Sequence, residues 1–517
     1  MIIPRIDHQN SARMLGMTDE ELLRLLAGPQ RKNANLWMAY AKRLAARHHG
    51  KELQRVLLKT AKLIHKKDAA KFHLLAARLL TQAWKYTEAR RHWQLVSRVD
   101  TVSDQAVEGY ASMLERMNRV NEALALIPRL KNNPSTWALK ARLLRRSGDA
   151  ESAVDLTKTL TDIETELPPA MAAEAWHARF QAFESLGDYA KAWESLQRSK
   201  LATRQAIGES RLSKWLSVRR ESFTKVNDIL DRMDSGQIER WISENSDLQV
   251  EPWFLMLGMP RSGTTMLENI LESHPDVVAT DERDALASVV LEPAAAHCSQ
   301  YSDSPEYSEA EQFLKNMEAV SSAQVADSHV VYLSELQLQM DQPIRGKVLL
   351  DKNPGLMESA MLIPKYLPRV KLIVPVRDPR AVYWSTWQVY VSQPTEISCF
   401  WTDTKDLLEI YSHTMQVWEK MQTLLPEQFF TECRYEQLIT DRVSETQRLT
   451  RFMGLDPDDA QFSPELHAQK KTVHSPSYEE VVQAPHSAAL AKWKNYEPWI
   501  GQVLEDLDPW LEKLNYD

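Results

Sequence analysis

Residues 258 to 265 read Gly-Met-Pro-Arg-Ser-Gly-Thr-Thr, after the apolar run "WFLML" and before an amphipathic stretch ending in "SHPDV". Two glycines five apart, small hydroxyls and a helix start at a strand end make a phosphate-binding loop, where backbone N–H groups and the helix N-terminus attract an anion. Thr264 stands where a nucleotide-hydrolysing loop needs lysine to reach the transferred γ-phosphate. The loop thus argues against a P-loop kinase and for an anion whose charge ends sooner, such as a 5′-phosphosulfate. A glycine turn that only packs a helix on a strand is the plainer alternative, but Arg261-Ser262-Gly263-Thr264-Thr265 is more specific than two spaced glycines.

Such a loop has to be held by a sheet. Four short apolar runs, at 253–259, 347–354, 370–378 and 429–438, are each bounded by turn residues and separated by helical stretches, the pattern of buried parallel strands in an α/β domain. Upstream the pattern is different. "WKYTEA" ending at Ala89, "NRVNEA" at Ala123, "GDAESA" at Ala153 and "GDYAKA" at Ala192 each place a turn before a helix, with flanking stretches apolar at three- and four-residue spacing. Their spacing of 34, 30 and 39 scatters around the tetratricopeptide period, so roughly residues 35 to 200 resemble tetratricopeptide repeats. An unrelated helical bundle is the alternative, and a further degenerate helix pair is expected before residue 70. "SDLQVEP" marks the boundary, giving an N-terminal helical segment at 1–34, an all-α repeat domain at 35–230 and an α/β P-loop-like domain with a central parallel sheet at 245–517.

At 517 residues and 43% hydrophobic, the chain is long enough for two or three cores. The start "MIIPRIDHQNSARML" has no signal-peptide h-region and no window nears eighteen apolar residues, so a cytoplasmic protein without membrane insertion is expected. Cys298, Cys399 and Cys433 are too few and too scattered for a disulfide framework or a clustered metal site. The net charge of −8 hides an asymmetry. Residues 1–250 carry 41 Lys+Arg against 30 Asp+Glu, and residues 251–517 carry 22 against 41. The basic excess is spread over helix-like segments and not gathered into an arm, so nucleic acid is not indicated.

The second half resembles sulfotransferases that use 3′-phosphoadenosine-5′-phosphosulfate (PAPS), above all the tyrosylprotein sulfotransferases and bacterial proteins joining tetratricopeptide repeats to a sulfotransferase domain. The resemblance rests on "PRSGTT", "HPDV" followed by "TDE", "LLDKNP", "VRDPRAVYWS", "CRYEQL" and "SYEEVVQAPHSAALAKW". It implies PAPS as sulfuryl donor, held by Arg261, Ser262, Gly263, Thr264 and Thr265, with Arg377 and Ser385 gripping its 3′-phosphate. It also implies Glu282 as base, Lys352 as catalytic lysine, Tyr435 as a cofactor contact, and Ser477 and Lys492 near the cofactor and its bridging oxygen. Val389 departs from the pattern, standing where those enzymes have a further arginine.

The residue types suit that chemistry. Sulfuryl transfer needs an in-line nucleophile, a base for its proton, and positive charge where the leaving phosphate develops. Glu282 can supply the base, and Lys352, Arg261 and Ser477 the stabilisation, with no metal required. Arg377 and Ser385, eight residues apart across a strand-to-helix junction, can converge on one phosphate. Plainer readings stand beside these. Arg377-Asp378 suits a structural ion pair, Glu282 sits in a solvated charge run with Asp281, Arg283 and Asp284, and His274 before Pro275 suits capping or packing better than proton transfer. Trp384, Trp387 and Trp401 either line an acceptor cleft or fill the core, with core favoured for most. The expected activity is sulfuryl transfer from PAPS to a hydroxyl, a tyrosine in a peptide or protein if the repeats recruit one, with acidic acceptors favoured by the basic half. A repeat scaffold with an inactive sulfotransferase-like domain is the alternative.

Overall fold

The computed structural model describes residues 17–28, 30–99, 103–131, 133–158, 166–248, 253–300, 307–465 and 490–516. They form two compact units, one holding the described residues before Asn133 with Leu336–Pro343, the other holding Asn133–Glu335 and the chain from Ile344 on. Both contain helix pairs closed by one kind of turn. In the first unit, helices Ala34–Ala46 and Gly50–Ala61, Ala69–Gln82 and Tyr86–Val96, and Ser103–Arg116 and Val120–Leu124 are joined through His48, Trp84 and Asn118. Each of these has a left-handed backbone, with φ of 57°, 62° and 57°. The next residue's N–H reaches back five positions to the carbonyl of Leu44, Leu80 or Leu114, at 2.9, 2.8 and 2.8 Å. That bond caps carbonyls the helix end would otherwise leave unsatisfied.

The second unit repeats the device at Gly148 and Gly187, with φ of 91° and 74°, closed by Asp149 N–H to Leu144 O at 2.9 Å and Asp188 N–H to Phe183 O at 3.0 Å. Five positions after each left-handed residue comes a side chain with no exposed surface: Leu53, Ala89, Ala123, Ala153 or Ala192. The pair before residue 70 is thus present, and its pattern is degenerate because leucine fills the alanine place and histidine the turn.

The α/β part is a five-stranded parallel sheet in the order β2-β3-β1-β4-β5. Its strands are β1 Trp253–Met256, β2 Val277–Ala279, β3 Val348–Lys352, β4 Lys371–Val376 and β5 Phe430–Arg434. Four of them match the apolar runs of the sequence. The three-residue β2 is too short to show a period. β1 and β3 are buried along their whole length, as a parallel strand covered on both faces must be. One face packs Phe254, Met256, Leu350 and Ile373 against Leu267, Ile270 and Leu271 of the helix that follows the loop.

The compact units do not divide where composition changes. Helices from Pro134 to Glu244 pack within the second unit together with the sheet. Trp384 lies 3.7 Å from Tyr496, 6.4 Å from Trp193 and 6.5 Å from Phe180, centroid to centroid. Arg220 makes a bidentate pair with Glu409 at 2.9 and 2.7 Å and reaches Asp406 at 2.8 Å, while Arg219 pairs with Glu358 and Lys225 with Glu309. Part of the charge asymmetry is therefore spent inside this unit, joining basic helix to acidic domain. Trp384 and Trp387, each 1% exposed, are core, as favoured, whereas Trp401 is half-buried. No helix among the described residues is long and apolar enough to cross a membrane. Trp384→Ala should lower the stability of the second unit by about 3 to 5 kcal/mol, read as an early melting transition by calorimetry; an unchanged transition would contradict this packing.

Candidate active site

The site lies at the carboxyl ends of β1, β3 and β4, where an open parallel sheet presents its loops. β1 is the middle strand of the three, and its Met256 is in register with both Lys352 of β3 and Ile373 of β4. The loop after β1 and the residues after β3 and β4 are therefore neighbours.

The loop turns through left-handed backbone at Arg261 and Gly263, with φ of 71° and 101°, and helix Thr264–Glu272 starts directly after it. Gly263 is required twice over. Its φ disfavours a side chain, and a Cβ there would come within 2.4 Å of the Tyr435 ring. Tyr435 also carries the Arg377 guanidinium 4.4 Å above its ring centroid. Arg377 donates to the Arg261 carbonyl at 3.1 Å, and Arg261 Nε–H donates to Ser385 Oγ at 3.0 Å. Loop, Arg377, Ser385 and Tyr435 form one cluster, with two guanidinium groups and a hydroxyl at the loop that leads into the helix. Ser262 lies in the same turn, its hydroxyl buried and without a partner among the described residues. Arg261 turns toward Ser385 and belongs to the Arg377 group in this structure.

The second cluster surrounds Lys352. Its side chain has no exposed surface and lies 2.5 Å from Glu282 Oε1 and 3.3 Å from Glu268 Oε2. Burial alone would drive the ammonium toward neutrality, but Glu268, Glu282 and Asp281 reverse that and hold its pKa above the usual lysine value. Glu282 reaches the lysine from a strained turn, with Asp281 and Glu282 both left-handed at φ 57° and 62°. Three bonds fix that turn: Asp281 N–H to Glu268 Oε1 at 2.9 Å, Glu282 N–H to the Lys352 carbonyl at 3.1 Å, and Lys352 N–H to Thr280 Oγ1 at 3.2 Å. Glu268 is absent from the sequence-based set. Its only signal is a carboxylate among Leu267, Ile270 and Leu271 on the helix's apolar side, and a sequence does not say which cation meets it.

One expected residue, Lys492, is bonded to neither cluster. Ser477 lies outside the described residues. Lys492 reaches Glu184 Oε2 at 2.8 Å and Gln388 Oε1 at 3.5 Å, because the Glu184 carboxylate, which also accepts from Tyr496 at 3.1 Å, draws it to the helices. His274 is structural, as expected: its ring meets the Asp456 carbonyl at 3.0 Å and accepts from Asp276 N–H at 3.0 Å. At the departing position, the Val389 carbonyl accepts from buried Lys200 at 2.9 Å. Burial drops that lysine's pKa to about 7.

Residues 252–459 match the model of the sulfotransferase family. The α/β part of this chain is thus similar to sulfotransferase domains. Protein-tyrosine sulfotransferase A of Caenorhabditis elegans is 25% identical over 283 residues, 53% of this chain and 70% of that protein. Protein-tyrosine sulfotransferase 2 of Gallus gallus is 25% identical over 314 residues, 58% of this chain and 78% of that protein. Among solved structures, the sulfotransferase domain of the Synechococcus PCC 7002 olefin synthase covers 48% of this chain and 90% of its own, at 19% identity and a TM-score of 0.34.

Two outcomes follow for the α/β part. Gly263→Ala should abolish anion binding at the loop, measured by calorimetry, since neither the backbone nor Tyr435 can accommodate the methyl group. Asp351, buried between Tyr332 OH at 2.6 Å and Thr280 Oγ1 at 2.8 Å, has its pKa raised by burial to about 6. The folded state therefore holds that proton where the unfolded chain has lost it, so this group's contribution to stability falls as pH rises from about 4 to about 6. The slope is at most about 1.4 kcal/mol per pH unit. Denaturation of Asp351→Asn across that window should show the slope flattened.

Proposed function

We propose that the chain transfers a sulfuryl group from PAPS to a hydroxyl acceptor, and that the acceptor is a tyrosine in a peptide or protein met in the cytoplasm. One observation carries this reading: an anion cradle made of the loop, Arg261, Arg377 and Ser385 lies on the same strand ends as a buried lysine paired with a half-exposed glutamate. The residues fit the cofactor. A buried Ser262 hydroxyl in search of a partner, a glycine whose missing side chain leaves room for Tyr435, and two guanidinium groups suit a nucleotide with phosphate on both sides of its ribose. When bound, PAPS supplies a sulfuryl group whose transfer leaves 3′,5′-adenosine bisphosphate.

Arg377 and Ser385 hold the 3′-phosphate, and the loop N–H groups with Thr264 and Thr265 hold the 5′ side. Glu282 accepts the proton of the acceptor hydroxyl, and Lys352 keeps positive charge beside the position where negative charge develops. The names of the curated relatives support tyrosine as acceptor. For the repeats, the recurring turn and its buried small residue support the tetratricopeptide reading. In the first unit a groove of about 720 Å³, lined by Arg78, Gln82, Trp84, Gln105, Glu108 and Arg116, offers an extended acidic peptide a docking surface.

Calorimetry should find 3′,5′-adenosine bisphosphate bound far more tightly than AMP or ATP. Equal affinities would reject the assignment. Arg377→Ala should cost on the order of 2 to 4 kcal/mol of that binding. Glu282→Gln should leave it nearly unchanged while lowering turnover on the acceptor by on the order of 10².

A further inference from the structure

A lysine bonded directly to the general base poses a problem. The ammonium already holds Glu282 Oε1, one of the two oxygens that could take the acceptor's proton. When Glu282 takes a proton or swings toward an acceptor, a lysine with no exposed surface would be left charged and unpaired, which the interior does not tolerate.

Glu268 answers both difficulties, and we propose that it is the standing counter-ion of Lys352 and a positioning residue for proton transfer by Glu282. The inference rests on the reading of Glu282 as base. Its geometry separates the two carboxylates. Glu268 is 1% exposed and uses both oxygens, Oε2 toward Lys352 Nζ at 3.3 Å and Oε1 for Asp281 N–H at 2.9 Å, so it cannot leave. Glu282, with 34% of its side chain exposed, makes its contact to the lysine through one oxygen on a strained turn and can leave. Glu268 therefore keeps Lys352 paired and in place through the cycle, leaves Glu282 free to release the lysine, and pins the turn that presents Glu282.

The other charged groups around the pair are Asp281, Arg283 and Asp284 on the turn and Asp351 on β3. Asp281 adds a third negative charge near Lys352, and half-buried Arg283 lies near Asp281 and Asp284. Glu268 bonds Lys352 and the turn at once. Glu268 also lies one turn after Thr264 on the helix that starts at the anion loop, so the helix that holds the donor's 5′ side also fixes the lysine.

The test uses the full chain with Glu268→Gln, which keeps an acceptor for Asp281 N–H while removing the charge. Stability is measured by denaturation for Glu268→Gln, Lys352→Met and the double variant. If Glu268 is the counter-ion, Glu268→Gln destabilises the protein with Lys352 present and costs little in the Lys352→Met background; equal losses in both backgrounds overturn the proposal. Glu282→Gln should destabilise less than Glu268→Gln, and the reverse order also overturns it. In activity, Glu268→Gln should leave affinity for 3′,5′-adenosine bisphosphate unchanged within about twofold. It should move the acid limb of kcat/KM to lower pH, since Lys352 then serves Glu282 alone. An unmoved limb removes the positioning role. Full turnover by Glu282→Gln would overturn the base assignment only, because the counter-ion pairing is read from the stability cycle without any substrate.

Discussion

A lysine ammonium with no exposed surface exists only where anions have been built around it, and the α/β part of the chain is arranged to supply them. Lys352 ends β3, so its position is fixed by the sheet. Glu268 comes from the helix packed on one face and Glu282 from the turn after β2. Three separate chain segments must therefore be in register before one charge can be tolerated. The placing of β1 between β3 and β4 then puts that charge beside the anion loop. Removing any of these supports leaves a buried charge short of partners, a larger loss than an exposed ion pair ever incurs.

Left-handed backbone recurs at the places where the chain has to turn a side chain back over a strand end. Arg261 and Gly263 shape the loop, and Asp281 with Glu282 shape the approach to Lys352. Only one of the four is a glycine, so the other three hold conformations costing on the order of 1 to 3 kcal/mol each. Surrounding hydrogen bonds over-determine them, as the three bonds across the Thr280–Glu282 turn show. The helix pairs use the same conformation for a different end, closing each helix with a bond back across five residues.

The helices from Pro134 to Glu244 do more than carry a repeat pattern. They surround the segment around Ser385 with buried aromatic rings, and their donors reach its helix end: His177 Nε2 bonds the Gln388 carbonyl at 2.9 Å and Lys200 the Val389 carbonyl. Burial lowers the His177 pKa to about 3, so it donates as a neutral imidazole. The helix bearing Ser385 thus owes its position to residues far upstream in sequence.

Much was legible in the chain itself because its signals are local. The loop's glycines and hydroxyls, the four apolar runs and the recurring turns each depend on residues within about a dozen positions of one another. Even the misfit at Thr264, where a kinase has lysine, is read without a fold. Tertiary structure decided the rest, because the remaining contacts join residues that sequence distance separates. Glu268 looks like any helical glutamate until β3 delivers Lys352 to it from 84 residues away. Arg261 finds Ser385 only through the β1–β4 register. Lys492, grouped by its motif with the cofactor, is drawn instead to Glu184. The division of the chain was likewise set by packing: composition changes near residue 245, but the aromatic and ionic contacts of the upstream helices place the compact boundary at Asn133. Charge and hydrophobicity along a chain say which groups need partners, and only the fold says which partner each one meets.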